Sequence, residues 1–303
     1  MKNNRKKLLC TALAVAFTLS YALTACNEPN HEEDVSPPEQ IVTPLPDEGQ
    51  TPPLDSETGT PGTQPNQPSV PDSEENTEQN TPTPEPEPTP QVSYAQYIRC
   101  TGNNVNIRSG AGTSYAVLGA AEKNTTYAIV GQTGEWYQTY YRGKTAYIST
   151  SYAAVLSLEK SENPKVESVI EEGYKLIGVP YVYGAVRLHD GKGNLLKGFS
   201  AQKFDCSSLV QYMFYKGADV NLQVTTRTQV VQGKKVKRED IQRGDCLYFT
   251  NESRYHLKGV ERVGHVAVYL GDNYILHTAS DYARIEKISA ARWNYYLEAR
   301  RFV

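Results

Sequence analysis

The chain has 303 residues, with 31 basic and 34 acidic side chains and a net charge of −3. Beyond its first 25 residues no apolar run is long enough to cross a bilayer as a helix, which excludes a bundle of membrane-spanning helices. About 210 residues at the C-terminal side have ordinary globular composition, enough for two modest domains.

Residues 1–25 read as an export signal. Lys2, Arg5, Lys6 and Lys7 precede an apolar stretch from Leu8 to Ser20, and Leu23-Thr24-Ala25 ends in small residues. An ordinary cleaved signal and an uncleaved anchor remain alternatives. Leu23-Thr24-Ala25-Cys26 resembles the lipobox of bacterial lipoproteins. That resemblance implies a lipid on Cys26, with the exported protein held on the cell membrane and facing the cell wall.

Residues 26–93 are rich in Pro, Thr, Glu, Asp, Gln and Ser, and hold 16 of the 18 prolines. Such a segment buries too little apolar surface to offset its ordering entropy, so we expect a disordered tether. His31 lies in it as a solvated side chain. The tether carries 15 acidic and no basic residues, leaving the body with 27 basic against 19 acidic side chains. A basic body favours anionic polymers. For an exported chain these are wall polymers or membrane lipid, not nucleic acid; a generic solvated surface is the alternative.

Residues 94–157 have short alternating runs with closely spaced turn signals. Val105–Arg108, Thr126–Val130, Trp136–Tyr140 and Thr145–Ile148 read as strands. Gly110-Ala111-Gly112 and Gly131-Gln132-Thr133-Gly134 read as turns. The pattern predicts a small all-β barrel. Val105 through Tyr115, then Gly134-Glu135-Trp136-Tyr137, then Gly143 through Ile148, resembles a bacterial SH3-type domain. That resemblance implies a wall-targeting module or a structural neighbour of a catalytic domain. Trp136 and Tyr137 are either ligand-groove or half-buried barrel aromatics.

Residues 163–303 open with Asn163-Pro164 before an apolar stripe at Val166, Val169, Ile170 and Tyr174, a capped helix with proline at its first position. Gly178 and Pro180 end it. A second helix starts after Asp205, with Leu209, Val210, Met213 and Phe214 on one face. From Asp245 onward strands alternate with turns, so the domain is α+β. Cys100 and Cys246 beside or within strands are expected as small buried residues, with a disulfide between them left open.

Cys206 falls at the first position of the second helix. There the free backbone N–H groups and the helix dipole favour a thiolate and can hold an oxyanion. His265 and His277 lie on consecutive strands. A three-residue loop Gly271-Asp272-Asn273 sets Ala267 opposite His277 and puts His265 on the same face, whereas a two-residue loop puts the imidazoles on opposite faces. In the even register His265 acts as base to the thiol and His277 orients it. A zinc site from Cys206, His265 and His277 is the competing reading; we expect no metal and no cofactor. His189 and His256 sit in polar loops and are expected to be solvated.

Gly178-Val179-Pro180-Tyr181-Val182-Tyr183-Gly184, Phe204 through Val210, Arg227-Thr228, Arg243-Gly244-Asp245 and the two histidine strands together resemble NlpC-type papain-like endopeptidases of bacterial cell walls. The resemblance implies an α+β papain-like catalytic domain behind the SH3-like barrel. It also implies hydrolysis of the γ-D-glutamyl bond to a diamino acid in peptidoglycan stem peptides. On it, Cys206 is the nucleophile, His265 the base and His277 the third polar residue. Tyr181 stands near substrate and oxyanion, and Asp205 and Ser207 match positions that hold the amine in those members that require a free N-terminal L-alanine. Residues 185–203 are longer than the family's loop at this point, and Tyr183 replaces a frequent Trp. A non-catalytic wall-binding lipoprotein, and amidase or acyltransferase chemistry on the same fold, are the alternatives.

Overall fold

The computed structural model describes residues 92–303. The expected signal over 1–25, the lipid site at Cys26 and all but the last two residues of the tether lie outside the described residues. The all-β part comprises β1 (Tyr94–Cys100), β2 (Val105–Arg108), β3 (Val117–Ala121), β4 (Thr126–Ala128), β5 (Gly131–Thr133), β6 (Trp136–Tyr141), β7 (Lys144–Ser149) and β8 (Ala153–Glu159). Two-residue alternation builds β2, where Val105 and Ile107 are buried and Asn106 is exposed. Gly131-Gln132-Thr133, read as part of a turn, is instead β5 paired with β6. The turn itself is Gly134-Glu135, where Gly134 supplies a φ of +55°.

The second part comprises α1 (Pro164–Lys175), α2 (Cys206–Ala218), α3 (Thr226–Gln229), β9 (Lys234–Val236), β10 (Cys246–Phe249), β11 (His265–Gly271), β12 (Tyr274–Ala279), β13 (Tyr282–Lys287), α4 (Ala290–Asn294) and β14 (Tyr296–Arg301). α1 starts as the sequence predicts: the Asn163 side chain accepts from the Lys165 N–H at 3.0 Å, and Pro164 follows at the first position. α1 packs on α2, and α2 on β11 and β12. Gly217 permits the helix approach, because a Cβ there would come within 2.5 Å of the Val169 backbone.

One sheet runs β3-β2-β7-β6-β5. The other runs β8-β1-β4-β13-β12-β11-β10-β14-β9, so three strands of the SH3-like part extend the sheet of the second part. The junction pairs Ile285 on β13 with Thr126 on β4. β10 is buried on both faces. Cys246 and Tyr248 face the main core, while Leu247 and Phe249 face a second apolar cluster with Ala267, Ile275 and Ala299. Cys100 and Cys246 are buried free thiols with no disulfide between them.

Arg243 ties the two parts together from inside. Its guanidinium donates to both carboxylate oxygens of Glu167, at 2.7 and 3.0 Å, and to the Tyr97 hydroxyl of β1 at 3.0 Å. It also donates to the Tyr174 hydroxyl of α1 at 3.0 Å and to the Leu270 carbonyl at 2.8 Å. The Tyr97 and Tyr174 hydroxyls bond each other. Burying a guanidinium is tolerable only with its donors this fully engaged.

Candidate active site

Asp205 and Ser208 form a reciprocal cap at the start of α2. The Ser208 N–H donates to Asp205 Oδ1 at 2.8 Å, and the Asp205 N–H donates to Ser208 Oγ at 2.9 Å. This fixes Cys206 as the first helical residue, 8% exposed. Burial pushes its thiol up to about 12, and the Asp205 charge adds to the rise. The N–H groups of Val266 and Ser207 bond the sulfur and Arg187 lies near; all three pull the other way without winning. Burial thus works against the thiolate that the helix dipole and N–H groups favour, and a base beside the thiol assists its deprotonation.

The loop between β11 and β12 has two residues. Asp272 and Asn273, at φ 47° and 63°, form a tight left-handed turn. By strand parity alone that turn would separate the histidines. A β-bulge between Tyr269 and Gly271 inserts one residue and restores the even register, pairing Val268 with Leu276 and Tyr269 with Ile275. His265 and His277 consequently share a face. His265 Nε2 lies 2.9 Å from His277 Nδ1, with the rings 5.1 Å apart and near perpendicular at 81°.

Behind His277 stands Glu286 of β13, which sequence reasoning missed. His277 Nε2 is 3.1 Å from Glu286 Oε1, an ion-pair distance off the N–H axis. The same oxygen accepts from Arg292 Nη2 at 3.0 Å, and Arg284 Nη1 lies 3.9 Å from Oε2. Burial would raise the Glu286 carboxyl, but His277, Arg292 and Arg284 together hold it down at about 2. Burial, His277 and Arg292 keep His265 well below its usual value, and His277 is lowered by burial against the pull of Glu286. His265 is thus neutral, and competent to accept a proton, at neutral pH.

Tyr181, Cys206 and His265 line one cavity of about 700 Å³ together with Ser280, Glu252 and Arg292. Three backbone bonds set Tyr181 there: its N–H to Asp281 O at 2.8 Å, Val182 N–H to Phe204 O at 2.9 Å, and Phe204 N–H to Pro180 O at 3.1 Å. Burial, with Cys206 and Asp205 nearby, pushes its phenol up to about 12, so the hydroxyl keeps its proton.

Asp205 and Ser207 are engaged within the chain. Besides its cap bond, Asp205 Oδ1 accepts from Ser207 Oγ at 3.0 Å. Oδ2 accepts from Gly184 N–H at 3.2 Å and from Arg187 Nη2 at 2.8 Å. Arg187 Nη2 also reaches Ser207 Oγ at 3.1 Å. Arg187 comes from the long 185–203 loop, which is anchored and not merely draped. His189, expected in solvent, is fully buried against Tyr215, its Nδ1 accepting from Gly191 N–H at 3.0 Å. His256 is exposed as expected. Tyr183 is 86% exposed. In the SH3-like part Trp136 lines a separate cavity with Asn103, Asn106 and Tyr152, whereas Tyr137 is half-buried and packs on the core.

Comparison with known proteins agrees with this architecture. Residues 178–301 match the NlpC/P60 family model and residues 103–154 the bacterial SH3 domain model. A Bacillus subtilis gamma-DL-glutamyl hydrolase is 29% identical over 161 residues, 52% of this chain and 35% of that protein. The peptidoglycan endopeptidase RipA of Mycolicibacterium smegmatis is 32% identical over 111 residues, 37% of this chain and 20% of that protein. A Bacillus cereus gamma-D-glutamyl-L-lysine dipeptidyl-peptidase is 27% identical over 143 residues, 46% of this chain and 37% of that protein. The chain thus spans well under half the length of these curated relatives. A solved NlpC/P60 family structure from Bacillus cereus aligns with 69% of this chain and 63% of its own at 21% identity, with a TM-score of 0.37. The chain carries an NlpC/P60 domain over residues 178–301, preceded by a bacterial SH3 domain over residues 103–154.

Proposed function

We propose that the protein is a cell-wall cysteine endopeptidase that hydrolyses the γ-D-glutamyl bond to the diamino acid in peptidoglycan stem peptides. The observation that carries this reading is the 2.9 Å contact between His265 and His277, with His265 lining the same cavity as Cys206. The names of the relatives supply the substrate class.

The proton positions follow from the task. For His265 Nδ1 to accept the Cys206 proton, Nε2 must carry the ring hydrogen and donate to His277 Nδ1. His277 then bears its hydrogen on Nε2, toward Glu286. Sulfur attacks the γ-carbonyl carbon as His265 takes the thiol proton. The α2 N–H groups and the protonated Tyr181 hydroxyl supply donors for the oxyanion. The C–N bond breaks, the amine leaves with the proton from His265, and a thioester remains. Water activated by His265 hydrolyses it. His277 orients the imidazole, and Glu286 offsets the charge formed on the pair.

The same reading has the chain exported and lipidated at Cys26, the tether at 26–93 letting it reach the wall. The SH3-like unit at 94–157 is a wall-targeting module ahead of the peptidase unit at 163–303. Substitution Cys26→Ala should then release the protein from membranes; full retention would refute the lipid anchor. Mass spectrometry of defined muropeptides incubated with the whole protein tests the chemistry. Products split at the γ-D-glutamyl bond are expected, and products split elsewhere would refute the assignment.

A further inference from the structure

The cavity that holds Cys206 and His265 is lined by one arginine, Arg292, and by one acidic side chain, the exposed Glu252. Arg292 is 29% exposed and sits on the short α4, whose Ser289 cap accepts from the Arg292 N–H at 3.1 Å. A guanidinium carries five N–H donors in a planar fork suited to carboxylates. One of them holds Glu286 Oε1 at 3.0 Å, and that oxygen is 3.1 Å from His277 Nε2. Glu286 is therefore shared between a cation that lines the substrate cavity and the rear of the histidine pair.

A γ-glutamyl link has a distinctive chemistry. The scissile carbonyl is the side-chain one, so a free α-carboxylate remains on the acyl side, three carbons away. An ordinary α-peptide has no anion there.

We propose that Arg292 binds this acyl-side carboxylate, and that Glu286 is the positioning residue that fixes Arg292 and ties its occupancy to the His265–His277 pair. The inference rests on the endopeptidase reading for its substrate, but its core, anion docking beside Cys206, stands on the geometry alone. With the cavity empty, Glu286 divides its charge between Arg292 and His277. A carboxylate on Arg292 takes part of that partnership, leaving more of the Glu286 charge to stabilise the imidazolium as it forms. Discrimination for γ-linked substrates would thereby act on turnover as well as on binding. Glu252 repels an anion, and Arg292 is the one arginine or lysine lining the cavity that attracts it.

Two arms test this with the whole protein. In the first, kcat/KM is compared for a γ-D-glutamyl peptide and the same peptide with its α-carboxylate amidated. Loss of a charge-assisted pair predicts a preference for the carboxylate on the order of tenfold. Arg292→Gln should bring that ratio near one, while Arg292→Lys keeps part of it. Glu286→Gln should lower kcat more than it raises KM, an effect that loss of packing alone would not give. The second arm needs no peptidase activity. Alkylation of Cys206 by iodoacetate, an anion, is compared with alkylation by neutral iodoacetamide. Arg292→Gln should reduce the iodoacetate-to-iodoacetamide rate ratio severalfold, and Arg292→Lys should largely restore it. If wild type cleaves neither peptide but the alkylation ratio falls, the endopeptidase reading fails and the anion site stands. An unchanged ratio in Arg292→Gln in both arms would overturn the proposal.

Discussion

Arg243 bonds Leu270, the extra residue of the bulge that puts His265 and His277 on one face. The extra residue in β11 turns the Leu270 carbonyl toward Arg243 Nη1, 2.8 Å away, and the adjacent Gly244 N–H binds Tyr269 O at 2.8 Å. A buried arginine shared with the SH3-like part thus helps to set the pairing on which the site depends.

Replacing Arg243 should accordingly affect both stability and turnover. Arg243→Ala leaves Glu167, Tyr97 and Tyr174 without their shared donor, a loss of about 3 kcal/mol on the scale of broken buried pairs. Thermal unfolding should shift down in a single transition if the shared sheet makes the two parts cooperative. Two separated transitions in the wild type would contradict that.

The histidines should differ in consequence. His265→Ala removes the proton carrier and should nearly eliminate turnover, by about a thousandfold or more. His277→Ala removes an orienting group and the link to Glu286, and should cost about ten- to a hundredfold in kcat with little change in KM. Steady-state kinetics on one defined muropeptide checks both. Equal losses would assign His277 a role beyond orientation.

The acid limb of the pH–rate profile should lie below the ordinary histidine value of about 6.5. His265 is lowered by burial, by His277 and by Arg292, so it stays neutral to lower pH and activity is lost only as pH falls through that depressed value. The same sign holds for folding. The unfolded chain binds protons at His265 and His277 before the folded chain does, so stability declines as pH drops below about 6.5. Glu286, Arg284 and Arg292 complete the charged surroundings of the pair. Glu286→Gln removes the carboxylate that favours the imidazolium forms and should move the acid limb lower still. A limb above 6.5 in the wild type would contradict the account.

Much of this site is legible in the residues. Asp205 ahead of an apolar helical stripe predicts the cap and hence the place of Cys206. Strand parity frames the histidine question correctly, but a bulge leaves no mark in side-chain alternation, so the two-residue turn would have given the wrong face. Glu286 belongs to no motif in the sequence, and only the pairing of β13 with β12 brings it behind His277. The burial of His189 and the joining of β1, β4 and β8 to the second sheet depend on non-local packing, which local pattern does not encode.

Arg187 offers a test of substrate entry. Its contact with Asp205 and Ser207 occupies the groups expected to hold a free N-terminal amine. Arg187→Ala should free that carboxylate and raise kcat/KM for stems with a free amine, relative to N-acetylated ones, on the order of tenfold. An unchanged ratio would leave Asp205 to the helix cap and Ser207 to its bond with Asp205 alone.

The acyl–Cys206 intermediate can be trapped. The whole protein is mixed with a γ-D-glutamyl stem peptide, quenched in acid within milliseconds to seconds, digested and analysed by mass spectrometry. An acyl adduct is expected on the peptide containing Cys206, a thioester that hydroxylamine removes, with neither adduct nor product from Cys206→Ala. Product formed at near wild-type rate by Cys206→Ala, or an adduct confined to Cys100 or Cys246, would contradict Cys206 as the nucleophile.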